Sequence, residues 1–207
     1  MRLSEKTLEI NYCSQLQAIC PNRIIWFGLT QIQEARAGFD VATRLGGRIL
    51  LFQFKASDYI LRNGSRRFYL KHDQLINLQN HVNSRRRSIF YVFPLLGTTQ
   101  ELSRNSNIID QSYLLDVATL PNLAIPTKRN GQPRQNKIHY ADINPPSIVI
   151  HSDPIELKLE SSENVAKSGF HGSDGAIPLN IEFEEFWRKW KLNETFSYHS
   201  KGAVLLR

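Results

Sequence analysis

An α/β fold with a central mixed sheet flanked by helices is the architecture this sequence predicts, and three observations predict it. A capped amphipathic segment opens the chain. Two β-branched and aromatic runs then flank Gly46-Gly47, a two-residue hairpin signal. A second amphipathic segment follows and leads into the apolar run Ile89-Phe90-Tyr91-Val92-Phe93. The first 95 residues therefore read α-β-β-β-α-β. With 207 residues and 41% hydrophobic content the chain can bury one sizeable core. Residues 1–95 are read as that core, and residues 96–207 as a C-terminal elaboration packed on the same domain.

The first helix runs from Ser4 to Cys20. Ser4 suits the N-cap, Glu5 suits the positive end of the helix dipole, and Pro21 stops the helix. At roughly 100° per residue, Leu8, Tyr12, Leu16, Ile19 and Cys20 share one stripe. Glu5 and Glu9 fall inside it. A carboxylate among core residues is costly unless something pairs with it.

The run from Arg23 to Leu29 reads as a strand, and Thr30 to Arg36 as a charged linker. The hairpin strands are Phe39 to Leu45 and Arg48 to Ala56. Asn63-Gly64-Ser65 marks a turn. The second helix spans His72 to Val82, with Leu75, Leu78, Gln79 and Val82 at helical spacing. A strand from Ile89 stops at Pro94. Beyond it, Leu114 to Leu120 fits helix or strand, Thr127 to Asn136 a loop, Ser147 to His151 a strand, and Ser161 to Gly175 an exposed loop. Phe183, Phe186, Trp187 and Trp190 recur at helical spacing within Glu182 to Trp190, as core packing or a partner-docking helix.

Lys and Arg number 26 against 19 Asp and Glu, a net charge of +7, which suits a polyanionic partner. Arg66, Arg67, Lys71, Arg85, Arg86 and Arg87 are candidate phosphate contacts, and so are Lys128, Arg129, Arg134 and Lys137. Cys13 and Cys20 are seven residues apart on one helix, about 10 Å, too far for a disulfide. Two free thiols and no visible signal peptide point to the cytoplasm, and no apolar run reaches the roughly 18 residues of a membrane span. The six histidines form no HxH or HExxH pattern, and no GxxxxGK[ST] occurs. A zinc site, an HNH-type nuclease and an ATPase motor are disfavoured.

With Gly46 and Gly47 as the loop, Leu45 faces Arg48, and counting outward puts Asp40 opposite Gln53. Their Cβ atoms would lie about 5 Å apart on one face. Alternation brings Lys55 to that face and leaves Phe39, Val41, Phe52 and Phe54 on the other, a core face. A carboxylate, an amide and an amine thus gather on one side of an apolar hairpin.

Gly38-Phe39-Asp40, a hairpin and then Gln53-Phe54-Lys55 resemble the PD-(D/E)XK nuclease signature over roughly residues 1–95. The element order resembles that of the family's restriction-endonuclease-like core, and Glu9 resembles its helix carboxylate. Two features depart from the pattern. Phe39 stands where a proline is usual, and Gln53 replaces the second carboxylate. The resemblance implies a Mg²⁺-dependent phosphodiester hydrolase, with Mn²⁺ as a possible substitute and DNA preferred over RNA. Asp40, the Gln53 amide oxygen, the Phe54 carbonyl and Glu9 would supply the metal's oxygen ligands. Lys55 would position the attacking water and stabilise transition-state charge. Gln74, near the start of the second helix, would contact the site or its substrate, with Tyr69 and His72 behind it. Anti-phage defence or a mobile element is the setting implied, with a homo-oligomer or a partner subunit as possible assemblies. Two rival readings stand beside this one: a catalytically inactive nucleic-acid-binding module of the same fold, and a protein-interaction subunit docking through Trp187 and Trp190.

Overall fold

The Ser4 hydroxyl accepts a hydrogen bond from the Thr7 N–H and opens helix α1 (Glu5–Ile19), which buries Leu8, Tyr12 and Leu16 completely. In this computed structural model the structure describes residues 1–20, 24–45, 48–57, 59–82, 88–105, 107–128 and 130–170. Arg23, Gly46, Gly47, Arg85, Arg86, Arg87, Arg129 and the Glu182 to Trp190 stretch lie outside the described residues.

Strand β1 (Ile25–Gly28) follows. The segment read as a linker is instead a helix, α2 (Gln31–Ala37). Thr30 and Gln33 form a reciprocal capping box at its start, and Gly38, at φ +81°, closes it in the left-handed conformation. Strands β2 (Val41–Leu45) and β3 (Arg48–Phe54) pair antiparallel with Val41 opposite Phe52 and Leu45 opposite Arg48. That is the register the two-glycine loop predicts. Phe39, however, lies outside β2. The chain enters that strand from Gly38, so alternation does not yet hold. Phe39 packs into the opposite core from Val41, Phe52 and Phe54, contrary to the one-face expectation.

Between β3 and the next helix the chain inserts β4 (Tyr59–Ile60) and β5 (Arg66–Lys71), which pair across the expected Asn63-Gly64-Ser65 turn. Then come α3 (His72–Val82) and β6 (Ile89–Pro94), which runs parallel to β3 with Gln53 opposite Tyr91. A short helix α4 (Thr99–Arg104), capped by Thr98 and Glu101, leads to β7 (Ser112–Asp116). A single 3-10 turn at Val117–Thr119 completes the ambiguous segment. Strands β8 (Ile138–Asn144), β9 (Ser147–Ile150), β10 (Ile155–Lys158) and β11 (Glu160–Ser161) lead to α5 (Ser162–Lys167). The exposed loop expected from Ser161 is thus a helix to Lys167, burying Ser162, Val165 and Ala166, and Phe170 beyond it is fully buried. Residues 171–175 lie outside the described residues.

The strands form two sheets. The first is mixed and six-stranded, in the order β1-β2-β3-β6-β7-β11; the second has five strands, β10-β9-β8-β5-β4. Chain beyond residue 95 supplies strands to both. One face of the first sheet packs Val41, Leu50, Phe52, Phe54, Phe90 and Val92 against α1 and α5. Its other face meets α3, through Leu75 and Leu78, and the inner face of the second sheet. Phe68 of β5 and Phe93 of β6 join the two sheets edge to face, ring centroids 5.1 Å apart. Among the described residues no helix is long and apolar enough to cross a membrane.

Candidate active site

The site lies where β2 begins and β3 ends. The Asp40 N–H donates to the Phe52 carbonyl at 3.0 Å, so the strand pairing that positions Phe52 also places Asp40. Asp40 Oδ2 accepts from Gln53 Nε2 at 2.8 Å and from the Phe54 N–H at 2.7 Å. Gln53 Nε2 donates as well to the Phe54 carbonyl at 3.0 Å. The sequence-predicted pair is therefore in direct contact. Gln53 is only 1% exposed, so its amide is fixed by its partners. Its oxygen accepts from Gln74 Nε2 of α3 at 2.8 Å. Gln74 is thus part of the site, joined to it through Gln53.

Lys55 follows the last residue of β3 and is 5% exposed. Its N–H donates to the Val92 carbonyl at 3.0 Å, which fixes its backbone against β6. Its amine reaches Glu5 Oε1 at 3.5 Å, and the same oxygen lies 3.4 Å from the Ala56 N–H. The helix carboxylate that touches the lysine is thus Glu5 rather than Glu9. Both oxygens of Glu9 accept from Lys6, at 2.9 and 2.8 Å, and Lys6 also faces Glu34 at 3.7 Å. Glu9 is thus held by Lys6, and its charge still reaches Asp40. One helical turn separates the two acids; Glu9 is buried with the stripe, and Glu5 is exposed at its start. Spacing alone does not choose between them, and the docking of α1 on β3 does.

Burial pushes the Asp40 carboxyl up to about 7. Lys55 and the Phe54 N–H oppose this, while Glu5 and Glu9 add to it. Burial likewise raises Glu9, with Lys6 opposing and Glu34 and Glu5 reinforcing. Four carboxylates (Glu5, Glu9, Glu34 and Asp40) meet two amines (Lys6 and Lys55). The site has surplus acid in a chain of net charge +7.

Tyr91 is a residue the sequence reading missed. It lies opposite Gln53 in the parallel β3–β6 register and is fully buried, and its hydroxyl has no hydrogen-bond partner among the described residues. Burial pushes its phenol upward, and Asp40 and Glu5 add to that. Gln74 Oε1 is a second buried oxygen on this side of the sheet without a partner among the described residues. Alternation along Ile89 to Phe93 gives the face of Tyr91, but its strand neighbour depends on a parallel pairing that has no local signal.

Among the described residues, no group of three or more His, Cys, Asp and Glu side chains is arranged to hold a metal ion. A cation here would draw on Asp40 together with an amide and a main-chain oxygen. The geometry fits that donor set in one respect. Asp40 Oδ2 and the Phe54 carbonyl converge on a single point, where the Gln53 N–H group stands as a partial positive charge. It departs in another. The Gln53 amide oxygen faces Gln74, so ligation through it needs the amide to turn over.

The basic candidates have separate environments. Arg66 is paired with Glu101. Arg67 makes a two-point contact to Asp142 at 2.6 and 2.7 Å and lies over the Tyr140 ring. Lys71 is exposed at the end of β5. Cys13 and Cys20 are unpaired, in keeping with their spacing. No protein-family model, no curated protein and no solved structure matches this chain.

Proposed function

We propose that the chain is a metal-dependent nuclease of the PD-(D/E)XK type, hydrolysing phosphodiester bonds, with DNA preferred. The convergence of Asp40 Oδ2 and the Phe54 carbonyl on one point, with the buried Lys55 amine beside a surplus of carboxylate, carries this reading. The element order supports it. Taken without the inserted α2, β4 and β5, the chain to residue 94 runs α1-β1-β2-β3-α3-β6, with β3 parallel to β6.

The residues divide the work as follows. Asp40, the Phe54 carbonyl and a turned Gln53 amide would hold Mg²⁺ or Mn²⁺. When bound, the ion supplies charge stabilisation and acidifies a water. Lys55 orients the attacking water and stabilises negative charge developing on the phosphate. Glu5 holds the Lys55 amine in place, and Gln74 sets which end of the Gln53 amide faces Asp40. Asp40 must be ionised to hold the ion, so proton and metal compete for its carboxylate.

Two observations favour a second reading, an inactive nucleic-acid-binding module of the same fold. The Gln53 N–H occupies the convergence point, and Glu9 is tied to Lys6. A cleavage assay on single- and double-stranded DNA and RNA with Mg²⁺ or Mn²⁺ separates the two. Cleavage that disappears in Asp40→Ala and Lys55→Ala while nucleic-acid binding persists supports the nuclease. Wild-type binding with no metal-dependent cleavage supports the module, and unchanged cleavage in either variant overturns the site.

A further inference from the structure

Beside the Asp40 site lies a cleft of about 280 Å³, walled by the end of α2, the first turns of α3 and the Asn136–Lys137 turn. Gln74 forms one wall of it while bonding Gln53 at 2.8 Å, so a single side chain separates cleft and site. The walls are closely fitted. A Cβ on Gly38 would come within 3.1 Å of Asn77 Cβ and 3.2 Å of the Gln74 carbonyl. The volume is close to the roughly 300 Å³ at which small-ligand pockets begin.

The cleft is lined by two acids, Glu34 and Asp73, and two lysines, Lys71 and Lys137. Its two acids are each near an amine: Glu34 lies 3.7 Å from Lys6, and Asp73 lies 3.1 Å from Lys137. Lys71 has no ion-pair partner among the described residues. His72 is 7% exposed and lines the cleft. Its Nδ1 is turned inward, 3.0 Å from His139 Nε2, and His139 Nδ1 lies 2.5 Å from Ser152 Oγ. Burial first, and His72 second, depress His139 to about 4, so that ring is neutral at ordinary pH. A neutral ring has one N–H and one lone pair. If the Ser152 hydroxyl donates to His139 Nδ1, His139 Nε2–H donates to His72 Nδ1. A neutral His72 then carries its proton on Nε2; with the Ser152 contact reversed, His72 Nδ1–H is the donor and Nε2 keeps a lone pair. In the first arrangement no added proton is needed for Nε2 to donate. The main-chain N–H of His72 is taken by the Lys137 carbonyl at 2.9 Å, and the next N–H groups of the first turn of α3 add positive potential.

We infer that this cleft is a phosphate subsite, in which Lys71 and His72 Nε2–H hold a phosphate of the strand next to the linkage at Asp40. The inference rests on the nucleic-acid reading above and deepens it by naming where the strand is gripped. The phosphate is either internal to the strand or its 5′ terminus.

The test is binding in EDTA, where cleavage does not enter. Histidine imidazole NMR signals are followed as inorganic phosphate, a 5′-hydroxyl oligothymidylate and a 5′-phosphorylated one are added. Affinities of both oligonucleotides are measured over a salt series for wild type, Lys71→Ala and His72→Gln. The inference expects His72 signals to shift with an oligonucleotide, both variants to bind more weakly, and Lys71→Ala to lower the salt slope by about 0.7. Equal loss for both oligonucleotides assigns an internal phosphate, and loss confined to the phosphorylated one assigns the terminus. Should His72→Gln fail to fold, Lys71→Ala, on an exposed residue, still decides. Unmoved His72 signals, or wild-type affinity and salt slope in Lys71→Ala, overturn the subsite. A protein that binds through the cleft but never cleaves with metal refutes the nuclease alone, and one that cleaves with a silent cleft refutes the subsite alone.

Discussion

Asp40 lies just before β2 of the first sheet and His139 in β8 of the second, and the same cause drives their protons in opposite directions. Burial makes Asp40 keep a proton to about pH 7 and makes His139 refuse one until about pH 4. Around Asp40 the neighbours are charged: Lys55, Glu5 and Glu9. Around His139 the hydrogen-bond partners are His72 and Ser152, and the one carboxylate acting on it, Asp153, opposes the shift. The first cluster stores charge that a cation could relieve; the second is stable when neutral. An ion is therefore expected to act at the first, whereas the second is suited to orienting a donor.

The largest effect that would break this contrast is on chemistry. Asp40→Ala and Lys55→Ala are each expected to lower metal-dependent cleavage at least about 10²-fold. Retained cleavage would mean that the charged cluster is only structural. Stability against pH sharpens the contrast next. Between about pH 4 and 7 the native protein holds the Asp40 proton that the unfolded chain has released, so this group makes stability fall as pH rises. His139 does the reverse. Between about pH 6.5 and 4 the unfolded chain takes up a proton that the native ring refuses, so stability falls as pH drops. The two slopes oppose each other in wild type. Denaturant melts of Asp40→Asn should leave stability rising with pH, and those of His139→Gln should leave it falling, each by on the order of 3 kcal/mol. Matching profiles for the two variants would remove the distinction.

Smaller effects follow. Gln74→Leu removes the donor to Gln53 and is expected to cost about 1–2 kcal/mol. It should also change the metal dependence of cleavage, which loss of stability alone would not do. Thr30→Ala removes the α2 cap and should cost about 1 kcal/mol in melts, with the Asp40 and His139 pH slopes unchanged.

The sequence was readable wherever a local signal set a long-range relation. Gly46-Gly47 implies the β2–β3 register, and the register implies the contact between Asp40 and Gln53. Helix α2 was missed although Thr30, Gln33 and Gly38 mark both its ends, because charge between them suggested a linker. Strand β5 looked like a basic cluster. Its alternation of buried Phe68 and Leu70 with Arg67, Tyr69 and Lys71 has meaning only once another sheet lies beneath it. Glu5, Tyr91 and the Gln53–Gln74 contact depend on how α1, β6 and α3 dock on β3, and no spacing within one element encodes that.

The pairing of β5 with β8 joins Arg66 to Ile143 and Lys71 to Ile138. An N-terminal strand thus waits for a partner made some seventy residues later. During synthesis, Phe68 and Leu70 would stay uncovered, with an open strand edge, until most of the chain has left the ribosome. A fragment ending near residue 95 would keep the Asp40 residues but expose that edge permanently, and self-association is its expected fate.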